Sequence, residues 1–236
     1  EGEKIPSGPW AGRHVTTSRS AAYATSAMKR AAVGFREHTG WAAMVAVGGS
    51  GRAPHVLARS RFELGKENLP RAVYHAARDL DLAGARRLVR KVEVAARRAA
   101  EGQLQRTVEE LAAGGYDVAA AGIAGGPRRL GSDLAEILAS HPLVHAAEGQ
   151  LYRDALAAAA EHRGLAVTRF LQQEIYEEAA EQVGLSEESM RAQLTGLGRA
   201  LGSPWQKDQK EAAAAAWLAL ARSSWKKQPA RAVRQP

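Results

Sequence analysis

The 236-residue chain contains no cysteine. That excludes a disulfide framework, a thiolate metal site and a cysteine nucleophile, and it fits a reducing compartment. No stretch approaches the roughly 18 consecutive apolar residues that a membrane helix needs. The N-terminus lacks the compact apolar block of a secretory signal. The expectation is a cytoplasmic protein with no membrane partner. Neither glycine pair, Gly48-Gly49 or Gly125-Gly126, leads into the Lys and Ser/Thr of a phosphate-binding loop. A nucleophile elbow and an internal repeat are also missing.

What is present is an ordinary globular composition, 45% hydrophobic and 25% charged, with alanine supplying much of the hydrophobic share. The formal charge of +8 invites a nucleic-acid reading until its position is considered. Residues 1–30 hold five basic and two acidic residues, residues 222–236 hold five basic and none acidic, and residues 31–221 balance to zero. The basic excess therefore belongs to the ends. Residues 1–27 are rich in Gly, Pro, Ser and Thr without a hydrophobic period and read as a disordered leader. A domain over 28–225 and a basic tail over 226–236 follow, and Met28 stands where a native start would fall.

Three short strands are expected at Ala31–Arg36, Trp41–Val47 and His55–Leu64. They are joined by short connections, of which Gly48-Gly49-Ser50-Gly51 is the clearest turn, so they predict an antiparallel meander. Helical segments follow over 70–80 and 82–112, the second with apolar Leu88, Val92, Ala95, Ala99, Val108 and Leu111. Gly114-Gly115 stops it. A strand over Tyr116–Ile123, a polar loop, a helix from Pro142 to Arg163 and a strand over Leu165–Leu171 come next. Helices over 173–183, Ser186–Leu197 and Pro204–Ser223 end the chain. The fold class is α/β: a three-strand meander, then alternating helices and parallel strands, then a helical C-terminus, which is the order of the RNase H-like fold.

Three segments also resemble the RuvC branch of the RNase H-like superfamily. Val33-Gly34-Phe35-Arg36-Glu37-His38-Thr39-Gly40-Trp41-Ala42 resembles its first hairpin, Ala155–Val167 its helix and following strand, and Asp208-Gln209-Lys210-Glu211-Ala212-Ala213 its closing helix. The resemblance implies a nuclease that holds two Mg²⁺ or Mn²⁺ ions on about four carboxylates. Asp208 and Glu211, one turn apart, match the closing-helix pair and are the candidate metal ligands. Arg36 stands where the first Asp belongs, a residue that repels a metal and attracts phosphate. The fourth strand, Ala120-Ala121-Gly122-Ile123, has no acid.

Other candidates come from spacing. His141, His145, Glu148 and Tyr152 fall on one helix face, a pattern that serves transition-metal ligation or acid/base chemistry as well as solvated packing with His141 as a cap. His145 and Glu148 are carried as catalytic partners for Asp208 and Glu211. Arg86, Arg90 and Arg97 form one row on the long helix, and Arg87, Lys91 and Arg98 the next, suited to a phosphate backbone or to a solvated face. Trp217 reads as core, and Trp225 beside Lys226 and Lys227 as a stacking contact or a tail anchor.

The reading is a RuvC-like nucleic-acid-binding protein with a degenerate metal site. Its rivals are a divalent-metal nuclease acting through Asp208 and Glu211 and a non-catalytic interaction or homodimerisation module. Since neither end offers apolar surface to offset the entropy of ordering, a chain trimmed to 28–225 is expected to unfold cooperatively within a few degrees of the full chain in a thermal melt.

Overall fold

The structure is a computed structural model that describes residues 28–50, 53–126, 133–199 and 201–225. The expected leader and tail, with Lys226 and Lys227, lie outside the described residues. Five strands form one sheet: β1 (Lys29–His38), β2 (Trp41–Ser50), β3 (Ala53–Glu63), β4 (Tyr116–Gly125) and β5 (Ala166–Leu171). Their spatial order is β3-β2-β1-β4-β5. The first three pair antiparallel, and β4 and β5 add parallel to β1. This is the strand order and pairing of the RNase H-like fold.

Alternation along the central strands sorts side chains onto two cores. Ala31, Val33 and Phe35 of β1 face one core with Met44, Phe62, Val118 and Ile123. That face is covered by α1 (Val73–Ala77), α2 (Leu82–Ala113), α3 (Leu134–Ala139) and α4 (His141–His162). Ala32 faces the other core, covered by α5 (Ile175–Val183), α6 (Glu187–Leu197) and α7 (Lys207–Trp225).

Helix limits follow their caps. Asp81 accepts from Gly84 N at 2.6 Å to open α2, and Ser186 accepts from Ser189 N at 3.2 Å to open α6. The buried stripe of α2 runs through Ala85, Val89, Val92, Ala96, Ala100, Leu104 and Leu111. It shares Val92 and Leu111 with the expected positions, while Leu88, Ala95, Ala99 and Val108 are half-buried at its edge. Helix α3 occupies part of the expected polar loop. Asp133 caps it, accepting from Glu136 N at 2.9 Å, and six residues are too few to show a period. Helix α4 begins at His141 with Ser140 as its N-cap, so His141 is inside the helix and does not cap it.

Helix α7 is enclosed on every side from Glu211 to Leu220, between the sheet and α5–α6. Ala212 to Ala216 and Trp217 are fully buried, as the core reading of Trp217 expects. The alanines let the helix approach closely, and two glycines admit it. A Cβ at Gly34 would overlap the carbonyl oxygen of Ala212, and one at Gly122 the carbonyl oxygen of Ala215. From the sheet edge, Arg59 donates to the carbonyls of Leu201 (3.0 Å), Gly202 (2.9 Å), Ser203 (2.7 Å) and Pro204, the loop that leads into α7.

Gly34→Ala and Gly122→Ala are therefore expected to lower unfolding free energy by at least about 1–3 kcal/mol each, the cost of overpacking. Gly196→Ala, on an exposed helical site with nothing within 4 Å of the added carbon, should instead stabilise by about 0.5–1 kcal/mol. Urea denaturation of the three variants checks both signs.

Candidate functional site

The end of β1 presents Arg36, Glu37 and His38 in succession, and strand alternation divides them between the two faces. Arg36 and His38 point toward α7, where residues one turn apart are spaced about as far as residues two apart on a strand, roughly 6 Å. The two pairs match. Arg36 Nε donates to Glu211 Oε2 at 2.8 Å, and His38 Nε2 lies 3.1 Å from Asp208 Oδ2. The second contact is close but poorly aligned, since the shielded His38 nitrogen makes no hydrogen bond among the described residues. The His38 ring is held instead by stacking on Trp41 at 4.1 Å, whose ring in turn carries the Arg61 guanidinium at 3.8 Å.

Arg36 is held from several sides. Nη1 donates to the Glu37 carboxylate at 3.0 Å and to the Glu37 carbonyl, and Nη2 donates to Gln172 Oε1 at 2.9 Å. Gln172 immediately follows β5, and its amide nitrogen is 3.4 Å from Glu211 Oε1. Four of the five guanidinium N–H donors are thus engaged. The expectation of Arg36 as a phosphate contact is corrected accordingly: it is an internal partner for carboxylates.

Glu37 points the other way, toward α4, where Arg153 Nη1 donates to its Oε1 at 2.5 Å. Both side chains are buried, at 7% exposure each. Burial raises the Glu37 carboxyl above its ordinary range, against the downward pull of Arg153 and then Arg36. The room for this pair comes from glycine. A Cβ at Gly149 would stand 2.7 Å from Arg153 Nη1 and 3.0 Å from Glu37 Oε1, and one at Gly125 would meet the same two side chains. Gly125 is therefore needed for a close approach as well as for the end of β4.

A groove of about 670 Å³ opens beside this cluster, lined by Gly125, Gln172, Tyr176, Arg191, Lys207 and Glu211. Lys207 Nζ is 3.8 Å from Glu211 Oε1. Burial, and next the Glu211 carboxylate, push the Tyr176 phenol up to about 12, so it stays protonated at neutral pH. Two hard cations do not fit here. Mg²⁺ requires near-octahedral oxygen ligands, whereas Glu211 is enclosed by Arg36, Gln172 and Lys207, and Asp208 is turned to His38. β4 adds only Ala120, Gly122 and Ala124 on this side of the sheet.

His145 and Glu148 are not brought to Asp208 and Glu211. Glu148 is 2% exposed and accepts from the α1 backbone, Oε2 from Val73 N at 3.1 Å and Oε1 from Tyr74 N at 2.8 Å and His75 N at 3.2 Å. It supplies the cap that α1 lacks from its own N-terminal residues. His145 Nε2 lies 3.0 Å from His141 Nε2, and Tyr152 donates to the Arg71 carbonyl at 2.6 Å. The expected common face of α4 thus exists, but it serves α1. Arg153 and Gln172 were invisible to spacing arguments. The only hint of the former was Gly149, an otherwise unfavourable residue inside a helix.

On α2, Arg86, Arg87, Arg90, Lys91, Arg97 and Arg98 are all exposed, and none forms an ion pair among the described residues. Arg97 borders a cavity that Glu93 and Asp154 also line.

No family model matches the chain, and no curated protein does. Among solved structures, Thermus thermophilus RuvC matches with a TM-score of 0.50 and 11% identity, over 83% of this chain and 96% of that one. A second, T. thermophilus RuvC in complex with Holliday junction substrate, gives 0.49 and 11% over the same shares. The first likeness agrees with the strand order in assigning a RuvC-like, RNase H-like fold.

With Arg36 at the centre, millimolar Mg²⁺ is expected to leave the melting temperature unchanged, because an ion stabilises only a fold that binds it. Arg36→Asp should make the melt metal-sensitive, with a rise on adding Mg²⁺ that EDTA reverses. Calorimetric melts of both proteins with and without the ion test this.

Proposed function

We propose that this chain is a RuvC-like nucleic-acid-binding protein with a degenerate metal site, engaging structured DNA or RNA without needing a divalent ion. The observation that carries the binding half is the set of six exposed cations on α2, in two adjacent rows over about three turns, with no ion pair among the described residues. A cationic row along a rigid helix neutralises successive phosphates and releases their counterions, and it reads charge and shape more than sequence. The Arg36–Glu211 and His38–Asp208 pairings support the other half. A carboxylate matched to a guanidinium holds the end of β1 against α7 and leaves no ligand set to activate water.

The groove beside Lys207 and Arg191 is a secondary contact in this reading. Arg191 lies 3.9 Å over the Tyr176 ring and is braced by Glu187 at 2.6 Å, so its position is set before any ligand arrives.

Fluorescence anisotropy on a labelled four-way junction, a duplex and single strands, in DNA and RNA and at graded salt, tests the reading. Joint change of Arg86, Arg90 and Arg97 to Ala should weaken binding for every sequence and reduce the salt slope by about three. Unchanged affinity and slope would remove α2 from the interface. Absence of any salt-dependent binding would favour the protein-interaction reading, and Mg²⁺-dependent cleavage abolished by Asp208→Asn would favour the nuclease.

A further inference from the structure

Three imidazoles converge away from the β1–α7 groove. His141 and His145 stand one turn apart on α4, and α1 brings His75 against both, with ring centroids 4.5 Å (His141 to His145), 4.7 Å (His75 to His145) and 5.7 Å (His75 to His141) apart. One ring nitrogen from each lies within 4.8 Å of the other two. The rings meet edge to face rather than stacked, at 65–87°, so their in-plane lone pairs can aim at a common point.

We propose that His75, His141 and His145 form a binding site for a borderline transition-metal cation, Zn²⁺ by ligand chemistry, that ties α1 to α4. Zinc–imidazole bonds of about 2.0–2.1 Å in a tetrahedral arrangement place neighbouring nitrogens roughly 3.3 Å apart. The His141 and His145 Nε2 atoms, at 3.0 Å, are already near that spacing. A nitrogen of the third ring, within 4.8 Å of both, has to close in by up to about 1.5 Å to reach that spacing.

Glu148 supplies the outer support that such sites use. Its Oε1 lies 3.3 Å from His75 Nδ1. A carboxylate on Nδ1 keeps the proton there, fixes the ring's orientation and leaves Nε2 with its lone pair for a metal. Glu148 is itself fixed by the three backbone N–H groups of Val73, Tyr74 and His75. One buried carboxylate therefore sets both the helix and the ring that it carries. His141 and His145 are exposed and His75 is partly so, which leaves the fourth coordination position open to water. An all-nitrogen set suits Zn²⁺, Co²⁺, Ni²⁺ or Cu²⁺ and not Mg²⁺ or Ca²⁺. The site does not rest on the nucleic-acid reading and shares no residue with it.

The test is calorimetric titration of the untagged full chain with Zn²⁺ alone, with Co²⁺ as a spectroscopic probe of four-coordination. One ion per chain is expected, with a rise in melting temperature and the visible bands of four-coordinate cobalt. The double change His141→Asn and His145→Asn, at exposed positions that circular dichroism can show to be folded, should weaken Zn²⁺ by more than about 100-fold. Glu148→Gln, which removes the outer support, should cost about 10–100-fold. The proposal is overturned if no stoichiometric binding occurs, if the double variant loses less than tenfold, or if binding survives it and disappears in His38→Asn. Those results would leave the three rings as a packing cluster joined by one N–H to N hydrogen bond. Nucleic-acid affinity is measured separately, so loss of one reading does not carry the other.

Discussion

The backbone-to-backbone approach of α7 to β1 and β4 is the constraint on which the other features depend. Two positions without a Cβ, Gly34 and Gly122, let the carbonyls of Ala212 and Ala215 come down onto the sheet. A run of alanines keeps the rest of the interface equally thin. A helix held back from the strands by intervening side chains would lift Glu211 away from Arg36. The charge chemistry of the site thus follows from close packing a few residues along the same two elements.

Strand alternation then does the sorting. One carboxylate, Glu37, lies between two guanidiniums, Arg36 on its own strand and Arg153 across the α1–α4 face. Arg36 reaches around the end of β1 to join Glu37, Glu211 and Gln172 from three elements. Such a network is costly to bury and tolerable only when each member is paired. It is better suited to fixing the relative positions of β1, β5 and α7 than to adding stability.

The order of elements was legible because the meander turns, the Gly stops and the two later strand–helix alternations are local signals. That Arg36 stands where the resemblance implies a carboxylate was also legible, whereas its engagement by Glu37, Glu211 and Gln172 in place of a phosphate came only with the packing of α7 and the end of β5 on β1. Of the apolar positions expected on α2, Val92 and Leu111 lie in the buried stripe and Leu88, Ala95, Ala99 and Val108 at its edge, because alanine dominates both rows and gives the periodicity little contrast. Helix α3 was missed for its shortness. The true surroundings of His145 and Glu148 depended on His75, about 70 positions earlier in the chain, and no spacing rule links residues whose only relation is that α1 packs on α4. Arg153 and Gln172 belong to the same class: tertiary partners with no local signature.

The four carbonyls gathered by Arg59 have one more consequence. They belong to consecutive residues, Leu201 to Pro204, and α7 starts three residues later at Lys207. A helix turns through about 100° per residue, so the azimuth of every α7 side chain is counted from that anchor. With the loop clamped to β3 at one end and the glycine contacts at the other, α7 behaves as a key cut to a single phase. One residue gained or lost between Pro204 and Lys207 would turn Asp208 and Glu211 away from β1 while leaving the composition of the helix untouched. The loop's length, rather than its chemistry, is what the site cannot vary.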